Sequence, residues 1–450
     1  MPALSRLADH GLLWVVLAGA LWATGDRRAR RAAWRGLGSL AAASAGANLL
    51  GKALSARRRP DVRVPPARRR PRPSSPSFPS GHAANAAAFA TGAAIEMPSL
   101  AGPAIALAAA VGASRVATGA HYPSDVLAGT AIGAAAGVLT LRWWPRRPLR
   151  PATAIRPTRP TPAAPAGEGL VLLVNTSAGT ASSRLASWLA AELPKATVME
   201  TDAGQDLAAQ LRQAAAGAQI LGVAGGDGTI RTASAIALET GLPLLVIPAG
   251  TLNHFAADLG LRSARDAVAA LRAREAMLVD VGVAAGRPFV NTSSTGVYVD
   301  LVHARQQLEG RLGKRLAEVV GLIQVLRRSR PHELILDGRH RRLWLYFAGN
   351  CRYEPQGTAP AYRPDLADGC LDVRVVEAGP LARSRLVAAV ATGTLGRCRV
   401  YRTWQAGSVD VRAVDGQPIW LSVDGEVATA ESGFTQGKHR HGLLVYRSAG

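Results

Sequence analysis

Residues 142–168 read RWWPRRPLRPATAIRPTRPTPAAPAGE, and this run decides how the rest of the chain can fold. Proline removes a backbone donor and blocks a helix interior. At this density of Pro and Arg neither a regular helix nor a strand forms, so residues 146–168 are expected to link two separate bodies. The chain is 450 residues long, which also exceeds what one hydrophobic core serves. Composition changes across the break. Residues 1–145 are rich in Ala, Gly, Leu and Val, with apolar stretches near 11–24, 36–54, 83–98, 100–119 and 125–143. Each approaches the ~20 residues that cross a bilayer, the first and third falling short. Polar residues gather between the stretches, which favours an α-helical transmembrane bundle of five spans over a soluble Ala-rich bundle. From Gly169 onward, short apolar runs (GLVLLVN, QILGVAG, PLLVIPAG) alternate with helical patterns. That alternation predicts an α/β domain with a parallel sheet over 169–278. The later runs are mostly strand-like and predict a mainly antiparallel β domain over 279–450, with one helical segment near 311–328.

The net charge of +22 calls for an acidic partner: nucleic acid, an anionic membrane or phosphorylated substrates. Lys appears only at Lys52, Lys195, Lys314 and Lys438, so Arg is the default base, as in a GC-rich bacterial genome. The basic residues flank the apolar stretches without aromatic stacking partners, which argues against nucleic acid. Cys351, Cys370 and Cys398 form no CxxC pair, so neither a disulfide framework nor a zinc site is indicated. No cleavable signal peptide stands out.

Three fragments of the first half carry chemistry. They are Lys52 with Arg59-Pro60, then Pro79-Ser80-Gly81-His82, then Ser114-Arg115 followed by His121 and Asp125. Lys52, Arg59 and Arg115 can neutralise a phosphate. Gly81 admits close approach by backbone N–H groups. Asp125, four residues after His121, can fix its tautomer, and His82 can protonate a leaving oxygen. These cations make a metal unnecessary.

The fragments resemble the KxxxxxxRP, PSGH and SRxxxxxHxxxD signature of the type 2 phosphatidic acid phosphatase superfamily, over about residues 45–130. The resemblance implies His121 as a nucleophile that becomes a phosphohistidine, Asp125 as its orienting partner and His82 as general acid. Lys52, Arg59, Ser80, Gly81 and Arg115 would hold the phosphate. The Arg-rich segments 25–35 and 142–159 fall on one face of a five-span bundle, and the positive-inside rule makes that face cytoplasmic. The phosphatase site then faces outward and the C-terminal half inward, although loop 57–72, equally basic, lies outside.

In the second half, Gly225-Gly226-Asp227-Gly228-Thr229 follows an apolar strand and precedes a helix, an arrangement that binds phosphate. Asp227 can hold Mg²⁺ there. Gly250-Thr251 follows the next strand, and Asp424-Gly425-Glu426 offers a carboxylate base. These residues resemble the diacylglycerol kinase catalytic domain shared by bacterial lipid kinases and sphingosine kinases, over roughly 168–447. The resemblance implies an ATP site contacted by Asn175, Thr201, the loop Gly225–Arg231 and Thr251, with Glu426 as general base. It also implies a structural Mg²⁺ near Asp365, Asp368 and Cys370, the ligands at 365 and 370 being main-chain carbonyls. Two departures bear on nucleotide affinity and substrate choice. The first loop, Asn175–Gly179, lacks the usual Pro and Ser, and Ile230-Arg231-Thr232 stands where Asn and Glu usually follow. His254 and the three Cys read as structural.

The expectation is a bifunctional enzyme of a bacterial cell membrane. One site would hydrolyse a lipid phosphate or pyrophosphate without a cofactor. The other would use ATP and Mg²⁺ to phosphorylate a lipid alcohol such as diacylglycerol. In the alternative, only the phosphatase works and the kinase-like half senses nucleotide or lipid. Neither the lipids nor the oligomeric state is specified by the sequence.

Overall fold

The computed structural model describes residues 11–24, 27–47, 57–60, 75–148, 150–158, 160–176, 180–201, 204, 206–250, 252–312, 325, 329–356 and 360–449. The chain divides into two compact units between Arg146 and Arg147.

The first unit is helical: α1 (Leu12–Ala23), α2 (Arg27–Ala45), α3 (Gly81–Glu96), α4 (Ala101–Ala117) and α5 (Pro123–Leu139). Helix α2 corrects one expectation. The Arg-rich stretch 25–35 was expected between spans, yet the helix begins at Arg27. Ala, Arg and Leu are all strong helix formers, and Arg31 and Arg35 find a carboxylate inside the unit. Arg35 Nε donates to Glu96 Oε1 at 2.8 Å and Arg31 Nε to Glu96 Oε2 at 2.9 Å. Arg35 Nη1 also reaches Thr140 Oγ1 at 2.9 Å, so the knot joins α2, the end of α3 and the end of α5.

Glycine sets the spacing of these helices. A Cβ on Gly129, Gly133 or Gly137 of α5 would lie 2.3 Å from Ser80 O, 2.1 Å from Ala84 O or 2.8 Å from Thr91 Cβ. The α5 backbone therefore rests directly on α3, a mode of packing common where lipid surrounds the helices. Among the described residues, two helical segments, Pro98–Ala117 and Pro123–Arg142, are long and apolar enough to cross a membrane, at 20 residues each with mean hydropathy 1.5. Helix α1 is apolar but has 12 residues, α3 has 16, and α2 is too charged. Length and composition thus support two of the five expected spans. Leu12, Val16, Ile105, Leu127 and Val138 point outward on α1, α4 and α5.

The second unit carries β1 (Leu170–Val174), α6 (Thr180–Glu192), β2 (Thr197–Glu200), α7 (Leu207–Ala216), β3 (Ile220–Gly225), α8 (Asp227–Thr240) and β4 (Leu244–Pro248). Strands β2, β1, β3 and β4 are parallel neighbours in that order. Every residue of β3 is buried, as its unbroken apolar run requires in a sheet covered on both faces. Next come α9 (His254–Asp258), α10 (Ala264–Arg272), β5 (Ala276–Ala284), β6 (Arg287–Phe289), β7 (Thr292–Gly296) and α11 (Val297–Leu312). The remainder is β8 (His332–Leu336), β9 (Arg339–Asn350), β10 (Leu371–Glu377), α12 (Ala382–Thr392), β11 (Tyr401–Ala406), β12 (Val409–Ala413), β13 (Ile419–Val423), β14 (Glu426–Ala430) and β15 (Gly433–Tyr446). The pairings among β5 to β14 are antiparallel.

Three features depart from the sequence expectation. Strand β15 pairs antiparallel with β5 and parallel with β4, so the C-terminus returns to the first core and bridges the division expected at 278. A helix is described over Val297–Leu312, and most of the one expected at 311–328 (residues 313–324 and 326–328) lies outside the described residues. The Pro/Arg-rich segment, expected as a linker, is bonded along the second unit from Arg147. Its non-proline N–H groups make that possible: Ala152 donates to Asp258 O at 2.8 Å, Thr153 bridges Asp365, and Ile155 bridges Leu278.

Candidate active sites

In the first unit, the chemistry gathers where α3 and α5 begin. Ser80 caps α3 and its N–H donates to the Asp125 carbonyl at 2.9 Å, which ties the two helix starts together. Gly81 and the half-buried His82 occupy the first turn of α3, and a helix start favours an anion. His121, 4% exposed, lies just before α5. Its Nδ1 donates to the Ser77 carbonyl at 2.7 Å. A carbonyl only accepts, so the proton sits on Nδ1 and the Nε2 lone pair is available. Nε2 faces Arg59 Nη1 at 3.4 Å. Arg59 is itself anchored, Nη1 to Ala120 O at 2.9 Å and Nη2 to Ser75 Oγ at 3.3 Å. Buried Arg115 ends α4, and its carbonyl accepts the His121 N–H at 3.3 Å.

Asp125 takes a different part from the expected one. Its Oδ2 is 3.7 Å from His121 Nδ1, beyond a direct hydrogen bond. Fully buried, it instead accepts from Ser77 Oγ, from the Tyr122 N–H at 2.9 Å and from Arg57 Nη1 at 3.0 Å. As the third residue of α5 it bends back to cap its own helix, and it reaches His121 through Ser77. Ser77 and Arg57 are the residues that sequence reasoning missed. The only signal was their position beside the PSGH and RP fragments. Lys52 lies outside the described residues.

Burial lowers the His121 pKa from 6.5 to about 4, assisted by the positive charges of Arg59 and Arg115 and opposed by the Ser77 carbonyl. The ring is therefore a neutral nucleophile through the physiological range. Burial also holds Arg59 below its ordinary value, the Asp125 charge acting against that.

In the second unit, the predicted loops meet at the carboxyl ends of the parallel strands, where open α/β sheets bind ligands. Asn175 ends β1; its Nδ2 donates to Thr229 Oγ1 at 2.8 Å and its N–H to Ala224 O at 2.9 Å. Thr201 follows β2 and its Oγ1 accepts the Thr176 N–H at 3.1 Å. A Cβ on Gly250 would lie 2.4 Å from Gly226 Cα, so the two glycine loops touch backbone to backbone. Asn253, at φ +49, holds the second loop by accepting the Gly250 N–H at 3.0 Å. Asp227 accepts the His254 N–H at 2.8 Å, and His254 is in turn bonded to Arg147, which suits its structural reading. Thr251 lies outside the described residues.

Glu426 reaches this loop from β14. A Cβ on Gly228 would meet Glu426 Oε1 at 3.6 Å. Its carboxylate is paired with Arg231, one of the residues noted above as a departure. Asp424 fixes the turn before it by accepting the N–H groups of Val290, Asn291 and Thr292 at 2.8, 2.9 and 2.7 Å. The geometry thus brings together Asn175, Thr201, Gly225–Thr229 and Glu426. The glycine contacts and the first turn of α8 fit a nucleotide phosphate.

One expected ligand of the structural Mg²⁺, the Cys370 carbonyl, is already taken. Asp365 Oδ1 accepts the Ala367 N–H at 2.7 Å, and Asp368 accepts the Arg352 and Cys370 N–H groups at 2.8 and 2.9 Å. The Cys370 carbonyl accepts Lys438 Nζ at 2.9 Å, so an ammonium already occupies the position. Burial pushes the neighbouring Cys351 thiol up to about 12, in keeping with an inert cysteine.

Residues 32–149 match the PAP2 superfamily, and residues 169–284 match the diacylglycerol kinase catalytic domain. The chain joins these two domains. Among solved structures, a candidate diacylglycerol kinase from Bacillus anthracis is 21% identical over 63% of this chain and 98% of its own, with TM-score 0.50. At that identity the likeness speaks to the fold of the kinase-type domain. A diacylglycerol kinase from the same organism gives 18% identity over 63% and 97%, TM-score 0.45. A transmembrane PAP2-type phosphatidylglycerolphosphate phosphatase from Bacillus subtilis gives 25% identity over 30% and 71%, TM-score 0.26. The PAP2 match takes in Arg59, Ser80, Gly81, His82, Arg115, His121 and Asp125, and the kinase-type match takes in Asn175, Thr201 and the Gly225–Thr229 loop. Glu426 and Lys438 lie beyond the matched stretch.

Proposed function

We propose that the chain is a bifunctional membrane enzyme that hydrolyses a lipid phosphate at the PAP2 site and phosphorylates a lipid alcohol at the kinase-type site. The observation that carries this reading is His121, with Nδ1 protonated on Ser77 and Nε2 turned toward Arg59. Nε2 attacks phosphorus; the P–N bond forms as the P–O ester bond breaks, and His82 gives a proton to the leaving alkoxide. Water then cleaves the phosphohistidine, releasing phosphate and restoring the ring. Arg59, Arg115, Lys52, the Ser80 hydroxyl and the Gly81 N–H would hold the phosphoryl oxygens, which supplies the positive charge without a metal.

At the kinase-type site, ATP supplies the transferable phosphoryl group when bound. The Gly225–Gly228 loop and the start of α8 would hold its phosphates, with Asn175, Thr201, Thr229 and Thr251 around them and Asp227 holding Mg²⁺. Glu426 would take the proton of the lipid hydroxyl.

The two activities are assigned to opposite membrane faces, the kinase-type domain on the cytoplasmic side. His121 precedes α5 and the chain leaves the first unit after α5, roughly 25 Å away along its 17 residues. Arg142, Arg146 and Arg147 cluster at that exit, which the positive-inside rule makes cytoplasmic. A second reading, in which the kinase-type domain only senses nucleotide or lipid, draws on the Arg231–Glu426 pair, because a carboxylate held by Arg is a poorer base.

Sealed proteoliposomes of known orientation test both. Phosphate release from a labelled lipid phosphate is expected to vanish in His121→Ala, and lipid labelling from γ-labelled ATP in Glu426→Gln, each leaving the other activity. ATP binding that persists with no labelling of any lipid alcohol selects the sensor. Phosphatase activity reached only from the ATP side refutes the two-face assignment.

A further inference from the structure

The Lys438 ammonium is enclosed by oxygen and sulfur. Nζ lies 2.8 Å from Asp280 Oδ2, 2.9 Å from the Cys370 carbonyl, 3.0 Å from Cys351 Sγ and 3.4 Å from Asp368 Oδ1. The side chain is 2% exposed and that of Asp280 0%. Asp280 also accepts the Gly369 N–H at 2.8 Å and the His441 N–H at 2.9 Å. The ligand atoms of Asp280, Cys351 and Asp368 fall within 4.8 Å of one another, a spacing a single cation can bridge. Four chain segments converge there: β5, the end of β9, the loop before β10, and β15.

We propose that Lys438 is a resident cation standing in for a divalent ion, so that this junction of the kinase-type unit is held without metal. An ammonium donates three hydrogen bonds along its own directions, and four acceptors of mixed kind surround it. One of them is a buried thiol, a poor ligand for a hard cation such as Mg²⁺. In a chain that almost always chooses Arg, the choice is also sterically sensible. A planar guanidinium cannot sit at the centre of so small a cage, whereas a compact ammonium can. Without the ammonium, the Asp280 and Asp368 carboxylates and the Cys370 carbonyl would face one another inside the protein, a buried negative cluster that demands a replacement cation.

The inference concerns how the unit is held and stands whether or not its kinase reaction occurs. The test is thermal unfolding of the full-length protein in detergent, with EDTA or with added Mg²⁺, Ca²⁺ or Mn²⁺, beside metal analysis after gel filtration. The wild type is expected to melt at the same temperature with and without EDTA and to retain no stoichiometric divalent metal. Lys438→Ala is expected to melt about 10 °C lower and to recover part of that loss, in proportion to concentration, with a divalent ion. A wild type that loses stability in EDTA, or that retains one metal per chain, overturns the proposal. So does Lys438→Ala with unchanged melting and no response to metals. The wild-type measurements decide the matter alone if the variant does not fold. Lys438→Met, of similar length and uncharged, gives a second variant on which the same metal response is expected.

Discussion

Acid should stop the PAP2 site far later than an ordinary histidine would allow. His121 falls from 6.5 to about 4, which corresponds to about 3 kcal/mol in favour of the neutral ring. At pH 5 the reactive neutral form would be about 90% populated, against about 3% for an unperturbed imidazole. The sign for stability follows from the same depression. The folded value lies below the unfolded one, so the contribution is complete above pH 6.5 and is lost as pH falls from 6.5 through about 4. Phosphatase kcat at saturating substrate, measured from pH 3.5 to 8, should keep a plateau to near pH 5. The substrate's second ionisation lies near 6 and complicates the rate. The ¹⁵N shifts of the His121 ring, assigned by their loss in His121→Ala, give the titration directly. Arg59→Gln removes the nearest positive charge and should move the midpoint upward, though not to 6.5, because burial is the largest cause. A wild-type midpoint at 6 or above, in folded protein, refutes the account.

Other expectations follow from particular contacts. Ser77→Ala keeps the carbonyl that holds His121 but strips a donor from buried Asp125; it should cost about 1.5–3 kcal/mol of stability, read by denaturant unfolding, and slow phosphate release. Gly133→Ala drives a methyl to 2.1 Å from Ala84 O, so it should lower the melting temperature of the first unit, whereas the same change at exposed Gly38, where nothing lies within 4 Å, should not. Gly250→Ala prises apart the two glycine loops and should raise the KM for ATP at least about tenfold with lipid-phosphate hydrolysis unchanged, measured on one preparation.

Local chemistry was legible in the sequence and distant partnership was not. Short spacings alone place Ser80 and the Gly225–Thr229 loop at helix starts, whereas the His121–Asp125 bond expected from a four-residue spacing gives way to Asp125 capping its own helix. Ser77 could not be read, since its role depends on the loop before α3 touching the start of α5. The arginines of α2 read as loop charges because their partner, Glu96, sits on another helix. Arg231 was visible as a departure, but its pairing with Glu426 requires the β13–β14 turn to fold over α8. Lys438 was noticeable only as a rare Lys. Strand alternation predicted the α/β and antiparallel parts, yet periodicity carries no information about where a last strand returns, and β15 closes the first sheet.

The Arg31–Arg35–Glu96 knot has a consequence for biogenesis. Helix α2 carries Arg27, Arg28, Arg30, Arg31 and Arg35, and a lone segment with that load is poorly suited to entering lipid. Two of its charges are met only when the end of α3 is beside it. In the proposed bilayer setting the two helices partition as a pair. The insertion machinery then has to retain α2 until Glu96 has been synthesised, and Glu96→Ala would show itself first as failed membrane integration of the nascent chain.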